Sequence, residues 1–172
     1  MIVADKIAEW LHEKGITTVF GIVGAGNATL WDAITRLQKT RIVCCHHEQA
    51  CVMAAGAYYR ISGRISVALV TTGAGSTNAI TGVASAYMDS VPVLIISGNE
   101  ESKYIGAQTR VWGVQGYGSS EMAKECSKYS ARINWPHEVT RLDVSYKTAL
   151  EPRQGPVWVD VPKSVQAENA PV

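Results

Sequence analysis

The feature that most constrains this chain is a repeated switch between short apolar runs, rich in Val and Ile, and longer stretches with helical spacing. The apolar runs fall at 18–22, 42–45, 66–71, 93–97, 129–133 and 157–161. Several are continuous rather than alternating, as strands covered on both faces require. Helical patterns over 4–14, 28–39, 48–61, 77–88 and 137–150 separate most of them, with Pro136 placed for a first-turn proline. Such alternation predicts an α/β fold of three layers, α/β/α, around a mostly parallel, doubly wound sheet of about six strands. The segment 99–124, glycine-bearing and without period, reads as a long loop with one short helix. Residues 1–165 read as one domain, and the polar tail 166–172 as the start of a linker to absent downstream domains.

Composition narrows the partners. The chain has 172 residues, 47% apolar and 18% charged, with a net charge of +1. No basic stripe marks a nucleic-acid surface. No apolar run approaches the roughly 20 residues of a membrane span. The first 14 residues read as an amphipathic helix without an apolar signal-peptide core, so the expected compartment is the cytoplasm. The four cysteines, Cys44, Cys45, Cys51 and Cys126, form no C-x-x-C pair. With His46 and His47 they fit no common zinc spacing. All four read as reduced; Cys44 and Cys45 read as buried strand cysteines beside loop histidines, and no metal ligand is expected.

Two glycine-bearing turns follow strands and precede helices: Gly21-Ile22-Val23-Gly24-Ala25-Gly26-Asn27 and Thr71-Thr72-Gly73-Ala74-Gly75-Ser76-Thr77-Asn78. Each is either a tight turn or a ligand cradle, since open parallel sheets gather ligands at the carboxyl ends of strands and helix N-termini favour anionic or polar groups. A third piece, His46-His47-Glu48-Gln49-Ala50, puts a carboxylate at the start of a helix whose Ala50, Ala54 and Ala57 make one side small. Alone, Glu48 would be a helix-dipole partner; at the edge of a closely packed surface it is partly desolvated and suited to proton exchange. The helix after Thr77, with Ala79, Gly82, Val83, Ala84 and Ala86, has the same small character. The two faces predict either a close helix–helix contact, within the chain or between subunits, or ordinary packing on the sheet.

A dinucleotide site is the rival reading. Gly24-Ala25-Gly26 supplies G-x-G, and Glu48 follows at about the spacing of a ribose-binding acid. Thr29 stands where the third glycine belongs and weakens it. A non-catalytic domain of the same fold is a third reading, against which Glu48 counts.

Taken together, Val19-Phe20-Gly21-Ile22-Val23-Gly24, His47-Glu48-Gln49-Ala50 with Ala54-Ala55-Gly56-Ala57-Tyr58, the second turn running into Gly82-Val83-Ala84 and Ala86-Tyr87-Met88-Asp89-Ser90-Val91-Pro92-Val93, and Gly155-Pro156-Val157-Trp158-Val159-Asp160-Val161-Pro162 resemble the pyrimidine-binding domain of thiamine-diphosphate enzymes, especially acetolactate synthase and its relatives. The resemblance implies that Glu48 hydrogen-bonds N1′ of the cofactor's aminopyrimidine and so promotes loss of the thiazolium C2 proton. It implies Val23, Gly24, Thr71, Gly73, Ala74 and Asn78 as further cofactor contacts, and Gln115 as a catalytic residue lining the site. The substrate it implies is a 2-oxo acid such as pyruvate, decarboxylated and ligated. Val23 and Ala74 stand where the family often has prolines, and Gly116 where an acidic residue usually follows the glutamine; these departures bear on the substrate more than on the cofactor.

In that family a separate domain binds the diphosphate through Mg²⁺, using Gly-Asp-Gly, which this sequence lacks. The chain therefore reads either as part of a longer enzyme or as the small pyrimidine-binding subunit of a split enzyme like sulfopyruvate decarboxylase; the final strand and tail, similar to those of multidomain acetolactate synthases, favour the longer enzyme, expected to act as a homodimer. FAD in the complete enzyme is left open by these residues.

Overall fold

A computed structural model describes residues 1–106 and 113–171. Six strands form one sheet: β1 (Thr18–Gly21), β2 (Arg41–Cys44), β3 (Val67–Val70), β4 (Leu94–Asn99), β5 (Tyr129–Arg132) and β6 (Val157–Pro162). Their order is β2-β1-β3-β4-β6-β5, and every neighbouring pair is parallel. The helices are α1 (Val3–Glu13), α2 (Ala28–Leu37), α3 (Glu48–Ser62), α4 (Ala74–Met88), α5 (Ser119–Ala123), α6 (Arg141–Leu150) and α7 (Lys163–Gln166).

The continuous apolar strands do what their pattern demands. Val67 and Leu69 of β3, Leu94 and Ile96 of β4, and Val157, Val159 and Val161 of β6 face a core shared with α1, α2 and α6. Their alternates Ala68, Val70, Ile95 and Trp158 face a second core shared with α3 and α4. Both faces of the central strands are thus dry, the condition for an all-parallel sheet. α2, which follows β1, and α4, which follows β3, lie on opposite faces. The carboxyl ends of these neighbouring strands therefore diverge, making a topological switch point between them.

Several local expectations shift. α4 begins at Ala74, three residues before the expected start, because Gly73 takes φ 63°, ψ −118° and completes the turn in one step. The expected helix over 137–150 divides into a 3₁₀ turn, Pro136–Thr140, and α6; Pro136 does occupy the first turn. The long loop carries a 3₁₀ turn at Ser102–Tyr104 and α5, while its residues 107–112 lie outside the described residues. Cys44 is exposed, not buried, since β2 is an edge strand; Cys45 is half-buried, and only Cys51 is fully buried. Burial pushes the Cys51 thiol up, with Cys45 beside it adding to the effect. In the polar tail, Gln166 is fully buried and donates to Gly26 O and Val161 O, both at 2.7 Å. Glu168 O accepts from Val3 N, and Ala170 N donates to Met1 O. Among the described residues no helix is long and apolar enough to cross a membrane.

The turn after β1 rests directly on β4. A Cβ on Gly98 would stand 2.1 Å from Gly26 O and 2.7 Å from Asn27 Cα. Backbone on both sides leaves no flexible end to yield. Gly98→Ala is expected to cost about 2 kcal/mol or more, toward the upper range of overpacking. Urea unfolding of the variant and wild type measures this.

Candidate active site

Three segments meet at the switch point: the turn after β1, the turn after β3, and the N-terminus of α3. Thr71 is wedged among them. Its Oγ1 accepts from Gly26 N at 3.1 Å. A Cβ on Gly24 or on Gly75 would each fall 2.6 Å from Thr71 Cγ2. Only residues without side chains bring both turns this close to one threonine. The first turn is also closed on itself: the fully buried Asn27 accepts from Gly24 N at 2.8 Å and donates to Ile22 O at 3.0 Å.

Glu48 opens α3, whose N-cap is His47; His47 Nδ1 accepts from Gln49 N at 3.2 Å. The Glu48 side chain sits at the positive end of the helix dipole. It does not point to solvent as a mere dipole partner would. It is 8% exposed, and its Oε2 accepts from Asn78 Nδ2 at 3.0 Å. Among the described residues no donor reaches Oε1. That oxygen stands 3.4 Å from where a Gly75 Cβ would be. One carboxylate oxygen is thus fixed and the other borders the glycine cradle.

The pairing depends on close packing of α3 against α4. Gly75, Ala79, Gly82 and Ala86 form a buried stripe at helical spacing along α4. A Cβ on Gly82 would meet Val52 Cβ at 2.7 Å and Gln49 O at 3.1 Å. The close helix contact expected from the small residues is therefore made within the chain, and it sets Asn78 beside Glu48. Ala50 and Ala57 remain on the exposed side.

The remaining expected site residues are placed as follows. Gly24 and Thr71 lie in the cradle, half-buried; Gly73 is buried beneath the segment 113–116. A Cβ on Gly73 would lie 2.7 Å from Val114 O and 3.2 Å from both Gln115 Cα and Gln115 Cγ. Gln115 is thereby brought to the rim of the cradle. Val23, 55% exposed, and Ala74, exposed, stand at its outer edge. Gly75 and Asn27 were not singled out from sequence. The second glycine of Gly73-Ala74-Gly75 was the available signal for the one; nothing in the sequence distinguished Asn27 from an ordinary turn residue. No cluster of His, Cys, Asp and Glu suited to a metal ion occurs among the described residues.

A buried carboxylate with one open oxygen, at the switch point of a doubly wound parallel sheet and bordered by glycines, defines an α/β cofactor-binding domain. Residues 1–123 match the family described as "Thiamine pyrophosphate enzyme, N-terminal TPP binding domain", and the chain belongs to it. It is 35% identical to the acetolactate synthase large subunit of Haemophilus influenzae over 96% of its length, 28% of that relative. It is 34% identical to the acetolactate synthase isozyme 2 large subunit of Escherichia coli, over 95% of this chain and 29% of the relative. With the chloroplastic acetolactate synthase of Arabidopsis thaliana the identity is 33%, over 97% and 24%. The chain thus spans less than a third of these relatives. The dinucleotide reading falls: Glu48 lies in the first turn of α3 and bonds across to α4, not at the tip of β2 as a ribose-binding acid would.

Gly75→Ala would push a methyl against Thr71 and toward Glu48 Oε1. Its expected effect is a roughly tenfold or greater loss of thiamine diphosphate affinity, the factor that about 1.4 kcal/mol of strain or lost contact produces. Calorimetric titration of the complete enzyme measures it, and an unchanged Kd would contradict the cradle.

Proposed function

We propose that this chain is the pyrimidine-binding domain of a thiamine-diphosphate-dependent 2-oxo acid decarboxylase and carboligase of the acetolactate synthase kind, acting on pyruvate or a similar acid. The observation that carries this reading is the Glu48–Asn78 pair, with Oε1 left open beside Gly75. The residues fit the cofactor. A glutamate side chain donates to a bare ring nitrogen when protonated and accepts from the ring N–H once the proton has moved, and the glycine turns let a flat ring approach the backbone.

When bound, thiamine diphosphate supplies an acidic carbon and an electron sink for decarboxylation. The chain's part is to bind, orient and move one proton. Glu48 Oε1 holds and releases that proton at the pyrimidine edge. Asn78, by holding Oε2, keeps the carboxylate from turning away. Gly24, Thr71 and Gly73 form the floor and walls of the cradle, with Val23 and Ala74 at its rim. Gln115 stands over Gly73, where a substrate carboxyl or carbonyl would be met by an amide. Mg²⁺ and the diphosphate belong to a second domain, in the same chain or another. The exposed Met53, Ala57, Ser85 and Met88 along α3 and α4 fit a homodimer contact, and the cytoplasm is the compartment this reading favours.

Glu48→Gln in the complete enzyme is expected to lower kcat by about 10²–10⁴-fold, the usual contribution of a positioned acid–base group. Gln keeps the size and the hydrogen bond but cannot exchange the proton. Thermal unfolding should change only modestly, since a first-turn helix charge in a partly buried place contributes about 2 kcal/mol at most and Gln can still accept from Asn78. A variant with wild-type turnover would refute the assignment.

A further inference from the structure

Behind the cradle lies a buried polar chain that the proposed proton chemistry does not use. It starts at Asp160, in β6, which is fully buried. Burial pushes its carboxyl above the ordinary range, against opposing hydrogen bonds from Ser119 and Asn99 and the charge of Arg132. Arg132 Nε stands 3.4 Å from Asp160 Oδ2. Asn99, the last residue of β4, donates from Nδ2 to that same oxygen at 2.8 Å. It donates its other proton to Tyr117 O at 2.9 Å, with Ser119 Oγ a little farther at 3.3 Å. Its Oδ1 accepts from Thr72 Oγ1 at 2.9 Å and from Glu100 N at 2.8 Å. Thr72 Oγ1 in turn accepts from Gly116 N at 3.5 Å.

The Asn99 side chain therefore spends every donor and acceptor it has: three bonds go to distant segments and one to the neighbouring Glu100 amide. Asp could not replace it, because a second carboxylate would then face Asp160 at 2.8 Å. Leu would leave the Thr72 hydroxyl without its acceptor and take from Asp160 its 2.8 Å hydrogen bond, in a dry site. What the chain of bonds joins is specific. Thr72 lies between Thr71 and Gly73 of the cradle but turns its hydroxyl away from it. The far ends, Gly116 N and Tyr117 O, flank Gln115 on its C-terminal side.

Resting on the reading of the site given above, we infer that Thr72 and Asn99 are positioning residues: through them Asp160 clamps the segment 113–117 onto Gly73 and so holds Gln115 at the substrate end of the cradle. They touch neither cofactor nor substrate. Gly73 accepts the segment because it lacks the Cβ that would strike Val114 O, and the Asn99–Tyr117 bond holds it there. Removing the Thr72 hydroxyl leaves Asn99 Oδ1 and Gly116 N each short of a partner in a dry network, so the segment should loosen without disturbing Glu48.

The test uses Thr72→Val, which keeps the shape and removes the hydroxyl, and Thr72→Ser, which restores the hydroxyl. Thr72→Ala serves the same comparison if the valine variant does not fold. The first readout, hydrogen–deuterium exchange of amides 113–119 in the holoenzyme, is independent of catalysis. Exchange should quicken in Thr72→Val and return to wild type in Thr72→Ser; unchanged exchange overturns the clamp. In the second readout, KM for pyruvate should rise roughly threefold to tenfold in Thr72→Val, the factor one hydrogen bond of ordinary net strength carries. The Kd for thiamine diphosphate should stay constant, and Thr72→Ser should recover KM. Faster exchange with an unchanged KM, or a weakened cofactor Kd, overturns the positioning role. A wild-type holoenzyme inert toward 2-oxo acids would instead defeat the functional reading, and the exchange result would still decide the clamp.

Discussion

The contact on which the site depends is Thr71 held between two turns. Its hydroxyl takes the Gly26 amide, and its methyl lies where a side chain on Gly24 or Gly75 would have to be. Neither turn could be moved closer or farther without losing this fit. From below, Gly98 lets the first turn sit on β4, and Gln166 fastens Gly26 to the end of β6. The second turn is held on its other flank by α3, through Gly82 and Val52. The cradle is therefore a rigid meeting of backbones, with little side-chain freedom to lose when a planar ligand enters.

Glu48 gains its chemical character from the same packing. A first-turn glutamate on an isolated helix would extend into water. Here α4 approaches so closely that the carboxylate is covered, and Asn78 is there to hold one oxygen. The helix N-terminus lies beneath the side chain, Asn78 holds one oxygen, and the glycine border leaves the second oxygen addressable. The small residues that look like mere helix packing are what bring the acid and the cradle together.

The strand and helix order was legible because a strand covered on both faces cannot hide its apolar run, and all six runs became strands of one parallel sheet. The buried carboxylate and the two glycine turns beside it were legible as a combination of motifs rather than from any one of them. Boundaries were less so. The start of α4 was displaced because Gly-Ala-Gly-Ser looks like turn chemistry, whereas one positive-φ glycine finished the turn and released Ala74 and Gly75 to the helix. Cys44 was expected inside because strand cysteines usually are, but nothing in the sequence says that β2 is the edge. The burial of Gln166, in a tail that looks like a linker, and the Asp160–Asn99–Thr72 chain were invisible for a common reason. Each joins segments far apart in sequence, and polar residues at strand ends look alike whether solvated or buried.

The central claim is that Glu48 moves the proton that activates the cofactor. Exchange of the thiazolium C2 proton for deuterium, followed on cofactor bound to the complete enzyme, reads that step directly, before any substrate is present. Wild type should exchange far faster than Glu48→Gln, by about the 10²–10⁴-fold expected of an acid–base group. Equal rates in the two proteins would mean that the buried carboxylate at the switch point is a packing feature and that the activating group lies elsewhere.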